Sequence, residues 1–197
     1  MIFKETRLKG SFEIELEKTH DQRGFFARSF CKQEFSDQGL KTSIAQSNIS
    51  YNKRRGTLRG MHYQISPHSE AKLVSCASGA IFDVIVDLRR DSCTYRDWLG
   101  LKLTAETNRM LYIPEEFAHG FQTLQDDTTV CYNMFEFYHP ECARGIRWND
   151  PAFSIKWPFP APALVSEKDQ SYEDFNDEAS LDYRSDRVYR TTDHQML

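Results

Sequence analysis

The sequence has no run of apolar residues approaching the roughly 18 that a membrane-spanning helix requires, so no membrane partner is expected. Nor does it carry a basic surplus, with 25 Lys and Arg against 29 Asp and Glu and a net charge of −4. A general nucleic-acid binder needs that surplus to neutralise phosphates, so no nucleic-acid partner is expected. The opening residues, Met1-Ile2-Phe3-Lys4-Glu5-Thr6, lack the apolar core of a secretory signal. The five cysteines (Cys31, Cys76, Cys93, Cys131 and Cys142) are odd in number and not closely paired. They read as free thiols in a reducing cytoplasm. Internal repeats and low-complexity segments are absent. What is present is 197 residues, 40% hydrophobic and 27% charged. That is one soluble globular domain able to bury a core without metal or disulfide staples.

Charge is unevenly spread. Residues 166–197 hold nine acids and four bases, while the rest of the chain is near balance at +1. The stretch after about Gln170 has few large aliphatics and no clear period. It is expected to be an acidic C-terminal tail over 171–197, packed on or extending from a domain over 1–170. Within the domain, apolar and polar residues alternate with period two. Phe12-Glu13-Ile14-Glu15-Leu16 predicts one strand, and the β-branched run Ala80 to Leu88 after Gly79 another. Leu99–Leu103, Arg109–Ile113, Gly120–Leu124 and Thr128–Phe137 read the same way, and only Cys31–Gln38 reads as helix. Many short strands with a few short peripheral helices predict an all-β sandwich or barrel, with a closed jelly-roll cup favoured.

Chemistry-bearing residues gather in four places. Arg59-Gly60-Met61-His62-Tyr63-Gln64 lies between Gln46-Ser47-Asn48 and Glu70-Ala71-Lys72-Leu73. The second place is Ile113 to Phe121, with His119. The third is Tyr132, with Tyr138 beyond it, and the fourth is Ser166-Glu167-Lys168-Asp169. Singly, each has an ordinary explanation: a hydrogen-bonded structural His, a packed Tyr, a solvated Lys-Asp turn.

Together they are more specific. The run Gly56-Thr57-Leu58-Arg59-Gly60-Met61-His62-Tyr63-Gln64 resembles the GTLRGLHYQ signature of the dTDP-4-dehydrorhamnose 3,5-epimerase family. So do Asp21 to Phe26, Asp83 to Arg89, Tyr112-Ile113-Pro114 with Ala118 to Phe121, Gly145 to Pro151, and Ser166 to Asp169, in order along the chain. The resemblance implies a cupin-type β jelly roll, a homodimer exchanging N-terminal strands, and no metal or organic cofactor. The implied substrate is a nucleotide-diphospho-sugar, a 4-keto-6-deoxyhexose used in deoxysugar and polysaccharide biosynthesis. The implied reaction inverts C3, C5 or both.

That chemistry accounts for the residue types. The C4 carbonyl acidifies the protons on C3 and C5, and inversion removes one from one face and returns one to the other. An imidazolium is more acidic than a ketone α-proton by on the order of 10 pKa units, roughly 14 kcal/mol. The enolate therefore needs a fixed cation or donors in a dry cup. By resemblance, His62 is the base, oriented by Asp169, Lys72 stabilises the enolate, and Tyr132 is the acid on the opposite face. Arg59 and His119 contact substrate, Arg59 at the diphosphate. Arg23, Gln46 and Asn48 match nucleotide- or phosphate-side residues, some reaching in from the partner subunit. Lys168 matches another substrate-side position, and Tyr138 stacks near the base. Two departures, Arg28 and Ala143, stand where members usually carry Glu on the nucleotide side. Arg has donors only, so Arg28 in that place predicts a base other than thymine.

Three rivals remain at this stage. A metal cupin could use His62, Glu70 and His119 as a two-His-one-carboxylate set. A non-catalytic sugar-nucleotide-binding module would be expected to have lost one of His62, Lys72, Tyr132 or Asp169. A monoepimerase acting at one centre would use the same residues.

Overall fold

The computed structural model describes residues 1–176, so most of the expected acidic tail, 177–197, lies outside the described residues. Two antiparallel sheets face each other in a jelly roll. The first, of six strands, runs β1 (Ile2–Glu5), β2 (Phe12–Glu15), β10 (Met110–Ile113), β7 (Lys72–Ser78), β12 (Thr128–Met134), β5 (Gln46–Asn52). The second, of five, runs β13 (Ala143–Gly145), β6 (Leu58–Gln64), β11 (Phe117–Thr123), β8 (Ala80–Asp87), β9 (Trp98–Thr104). A short hairpin of β3 (Thr19–Asp21) and β4 (Gly24–Phe26) stands apart from both. The described helices are α1 (Lys32–Asp37) and α2 (Glu167–Gln170). No helix among the described residues is long and apolar enough to cross a membrane.

Period two decides what each strand buries. In β8, Ile81 and Ile85 face the other sheet, while Val84 and Val86 face outward. The inner residues meet Val74, Cys76, Leu111, Ile113 and Val130 of the six-stranded sheet. Segment 146–165 folds over the outer face of the five-stranded sheet and buries Phe153 and Trp157 there. Residues 171–176 lie on the same domain: Phe175 packs edge-on to Phe153 at 5.1 Å, and its N–H donates to Asp150 Oδ2.

Helix α1 covers the outer face of the six-stranded sheet. Its Phe35 is fully buried against Phe3, Phe30, Tyr112 and Phe135. Ile14 is buried, and Phe12 and Leu16 are covered by the same chain, with β2 paired to its own β10. Exposed large apolar residues include Phe25 and Phe26 on the hairpin and Ile49 and Tyr51 on edge strand β5.

Strand β6 breaks the two-residue period. His119 of β11 pairs with His62, and Phe121 pairs with Arg59, so two residues on β11 span three on β6. The extra residue forms a bulge around Gly60, whose φ of +125° is open to glycine alone. A Cβ there would stand 2.5 Å from Gly120 Cα. The bulge turns both Arg59 and His62 toward the interior, where strict alternation would place them on opposite faces.

Candidate active site

The apolar core fills the interlayer on the β8–β9 side. On the β5, β6 and β13 side the layers enclose a cavity of about 670 Å³ instead. Strands β5, β7 and β12 supply one wall through inward positions Gln46, Asn48, Ser50, Lys72 and Tyr132. The opposite wall carries Arg59, His62 and His119 from β6 and β11. Tyr138, Ala143, Lys168 and Asp169 complete the lining. Eleven of the thirteen site residues expected from sequence therefore meet in one cavity.

His62 Nε2 lies 2.7 Å from Asp169 Oδ1. Asp169 is buried and sits on α2, whose first turn is capped by Ser166: the Asp169 N–H donates to Ser166 Oγ at 3.1 Å. The second Asp169 oxygen accepts from Gly60 N–H at 3.1 Å. Burial alone would push the carboxyl up. The hydrogen bond and charge of His62, the Gly60 N–H and Ser166 outweigh it and hold the carboxyl below its ordinary range. An ionised Asp169 only accepts, so it fixes the His62 proton on Nε2 and leaves the lone pair on Nδ1. The His62 side chain is 43% exposed and accessible from the cavity.

Lys72 is buried, with Nζ 2.9 Å from Glu70 Oε1 and donating to His62 O at 3.1 Å. An ammonium has three donors, so one remains for an oxygen in the cavity. On the same wall as Lys72, and across the cavity from His62, Tyr132 meets the His119 ring edge-on at 6.2 Å. Burial pushes its phenol well above the ordinary range. Asp83 acts in the same sense, while Ser50 and Arg59 oppose it. The phenol is therefore protonated, which is the form an acid needs. Arg59 Nε donates to Asn52 Oδ1 at 2.8 Å, fixing the fork while its far end faces the cavity. Gln46 Oε1 accepts from Tyr138 N at 2.7 Å and holds the rim.

His119 forms a second imidazole–carboxylate pair, with Nε2 2.8 Å from Asp83 Oδ1. Asp83 is fully buried, and sequence reasoning gave it no role. The signal was available: one acid at an inward position inside the apolar run of β8. Tyr172 was also missed, because it fell in the expected tail. It lines the cavity, lies against Gly145 and presents an edge to His62 at 6.2 Å.

Two expected residues are not brought to this cavity within the chain. Arg23 is on the β3–β4 hairpin, its side chain 90% exposed and paired with Asp21. Arg28 pairs with Glu34 at 3.1 Å, and its guanidinium lies outside the cavity of its own chain. Of the rival metal ligands, Glu70 is taken by Lys72, and among the described residues His62, Glu70 and His119 do not bring one ligand atom each within 4.8 Å of the others.

Comparison with known proteins gives a consistent result. The dTDP-4-dehydrorhamnose 3,5-epimerase family signature matches residues 5–177. The dTDP-4-dehydrorhamnose 3,5-epimerase of Methanothermobacter thermautotrophicus is 43% identical over 172 residues, 86% of this chain and 92% of the relative. The crystal structure of the Elizabethkingia anophelis enzyme of that name superposes with a TM-score of 0.86 at 38% identity, covering 89% of this chain and 96% of that one. The Legionella pneumophila dTDP-6-deoxy-D-glucose-3,5-epimerase, in complex with dTDP-4-keto-L-rhamnose, gives 0.80 at 37% identity, covering 85% and 89%. With the His62–Asp169 pair and the facing Tyr132 in the same interlayer cavity, the chain belongs to the dTDP-4-dehydrorhamnose 3,5-epimerase family.

Proposed function

We propose that this protein inverts C3 and C5 of a dTDP-linked 4-keto-6-deoxyhexose by deprotonation and reprotonation. The observation that carries the reading is that base and acid stand on opposite walls. His62 belongs to the five-stranded sheet and Tyr132 to the six-stranded sheet. A sugar ring between them meets a base on one face and a proton donor on the other, the arrangement that inversion requires.

His62 Nδ1 takes the proton from the carbon next to the ketone. The remaining Lys72 N–H meets O4 as negative charge develops there, with little water to reorganise. Tyr132 delivers a proton to the opposite face, and both groups re-equilibrate with solvent. The sugar is neither oxidised nor reduced. Arg59 takes a diphosphate oxygen pair, while His119, held by Asp83, and Lys168 contact the substrate. Gln46, Asn48 and Ala143 line the nucleotide side, with Tyr138 stacking near the base. The dTDP carrier is favoured by the ligand of the Legionella relative.

The working unit is a homodimer in the cytoplasm. The hairpin carrying Arg23 leaves Phe25 and Phe26 uncovered, and a second copy would cover them while bringing Arg23 to its neighbour's cavity. Five free thiols fit a reducing compartment.

The test is incubation with dTDP-4-keto-6-deoxyglucose in heavy water. Deuterium is expected at both C3 and C5 of an inverted sugar. Uptake at one centre alone would reduce the activity to a monoepimerase, and uptake at neither would overturn the reading.

A further inference from the structure

Two loops border the cavity mouth: residues 65–71 between β6 and β7, and residues 135–142 between β12 and β13. Gln64 joins them through the backbone. Its Nε2 donates to the carbonyls of His68 and Phe137, each at 3.0 Å, and its Oε1 accepts from His139 N at 2.6 Å. This clamp brings His68 and His139 together outside the cavity, their rings stacked with centroids 3.4 Å apart. Glu136 Oε2 lies 3.9 Å from His68 Nδ1, too far for a hydrogen bond. One ligand atom from each of His68, Glu136 and His139 lies within 4.8 Å of the other two, and this is the only such trio among the described residues.

A second observation points to a cation. His139 Nδ1 lies 3.1 Å from Glu141 Oε1. A carboxylate accepting from one ring nitrogen leaves the lone pair on the other, the outer arrangement that ordinarily supports a metal-bound imidazole. The side chains of His68, Glu136 and His139 are about one-third exposed, so an ion can reach them from solvent.

We propose that His68, Glu136 and His139 bind one divalent transition-metal ion, zinc by preference, which clasps the two loops at the cavity mouth. Two imidazoles and one carboxylate suit zinc, copper or nickel and disfavour magnesium and calcium, which select oxygen ligands. Tetrahedral zinc with bonds of about 2.0–2.2 Å sets its ligand atoms roughly 3.3–3.6 Å apart. The trio needs a contraction of at most about 1.5 Å and a tilt of one ring so that the in-plane lone pairs converge. Side-chain rotation supplies both, because the Gln64 clamp holds only backbone groups. The clasped loops carry Glu70, the partner of Lys72, and the rim residue Tyr138. The ion would stiffen the mouth of the cavity without touching the reacting atoms.

The full chain, stripped of metal with a chelator, is titrated with zinc alone in competition with a chromophoric chelator. One ion per chain is expected, with a rise in Tm. The double substitution His68→Gln/His139→Gln should weaken binding at least tenfold while leaving the metal-free Tm near wild type. Glu141→Gln should weaken it by a factor of about ten. Should the double variant fail to fold, Glu136→Gln alone reads the same site. Cys93→Ser and His194→Gln are the controls and should bind as wild type. Unchanged affinity in the His variants, equal affinity for magnesium, loss of binding in the controls instead, or no binding at tens of micromolar zinc would each overturn the assignment.

Discussion

An imidazole alone is a weak base toward a ketone α-proton, so the partners of His62 decide what it can do. Asp169 holds the ring by its Nε2 edge and is itself held by Gly60 N–H, so the lone pair on Nδ1 has a fixed direction. His62→Ala is expected to lower solvent exchange into the sugar by about 10²–10⁴-fold while nucleotide binding survives. Retention of more than a few per cent of wild-type exchange would remove His62 from the base role. Asp169→Asn should fall less far, since the base itself remains. It should also lower Tm at neutral pH. The folded pKa of Asp169 lies below its ordinary value of 3.8, so its contribution to stability is present above that value and is lost as pH falls through the lower folded pKa. The difference in Tm between wild type and Asp169→Asn should therefore close at acid pH, and a constant difference would count against the ionised pair. Tyr132→Phe should leave exchange on the His62 face but abolish inversion. Inversion at the wild-type rate would move the acid to another side chain, Tyr138 first.

Strands whose buried face is mostly apolar could be read from the sequence, and strands β5, β6 and β7, which carry much of the polar cavity wall, could not. Ala80–Asp87 shows its β-branched run plainly, as do Met110–Ile113 and Thr128–Met134. Strands β5 and β6 turn Gln46, Asn48, Ser50, Arg59 and His62 inward, and β7 sets Lys72 in line with Val74 and Cys76, so these strands give no such signal. Polar groups facing a polar cavity remove the contrast on which period two depends. The family resemblance recovered the site residues there, while the bulge and the Asp83–His119 pair emerged only from pairing across strands. Arg28 is placed on the nucleotide side by its sequence position, and within one chain its guanidinium pairs with Glu34 outside the cavity. The bulge gives an element-scale prediction. Gly60→Ala places a Cβ 2.5 Å from Gly120 Cα at a φ of +125°, with backbone on the other side that cannot step away. Sparsely populated backbone conformations cost on the order of 1–3 kcal/mol. Gly60→Ala should therefore lower Tm by several degrees and reduce activity even in the fraction that folds, because Arg59 and His62 depend on that bulge for their shared direction. An unchanged Tm would show that the strand can repack.

Across the whole molecule the acidic surplus is concentrated after residue 166, leaving the body near neutrality. Association of two copies would then depend mainly on apolar cover. Phe26 is 78% exposed and Ile49 75%, the most exposed large apolar side chains among the described residues. Phe26→Glu with Ile49→Lys should shift the protein from dimer to monomer in sedimentation at micromolar concentration, with the melting of the isolated fold little changed. A wild-type monomer at that concentration would remove the dimer and leave Arg23 without a cavity to reach. The division of labour between the two sheets has one further consequence. Base and acid are anchored to separate layers, so the thickness of the apolar filling between those layers sets the gauge across which a proton must be delivered. Truncating Ile85 or Val130, neither of which lines the cavity, would let the layers settle closer together or out of parallel. The enzyme would then keep every reacting group yet change the fraction of turnovers that end in the mirror configuration, making stereochemical fidelity a readout of packing in the hydrocarbon core.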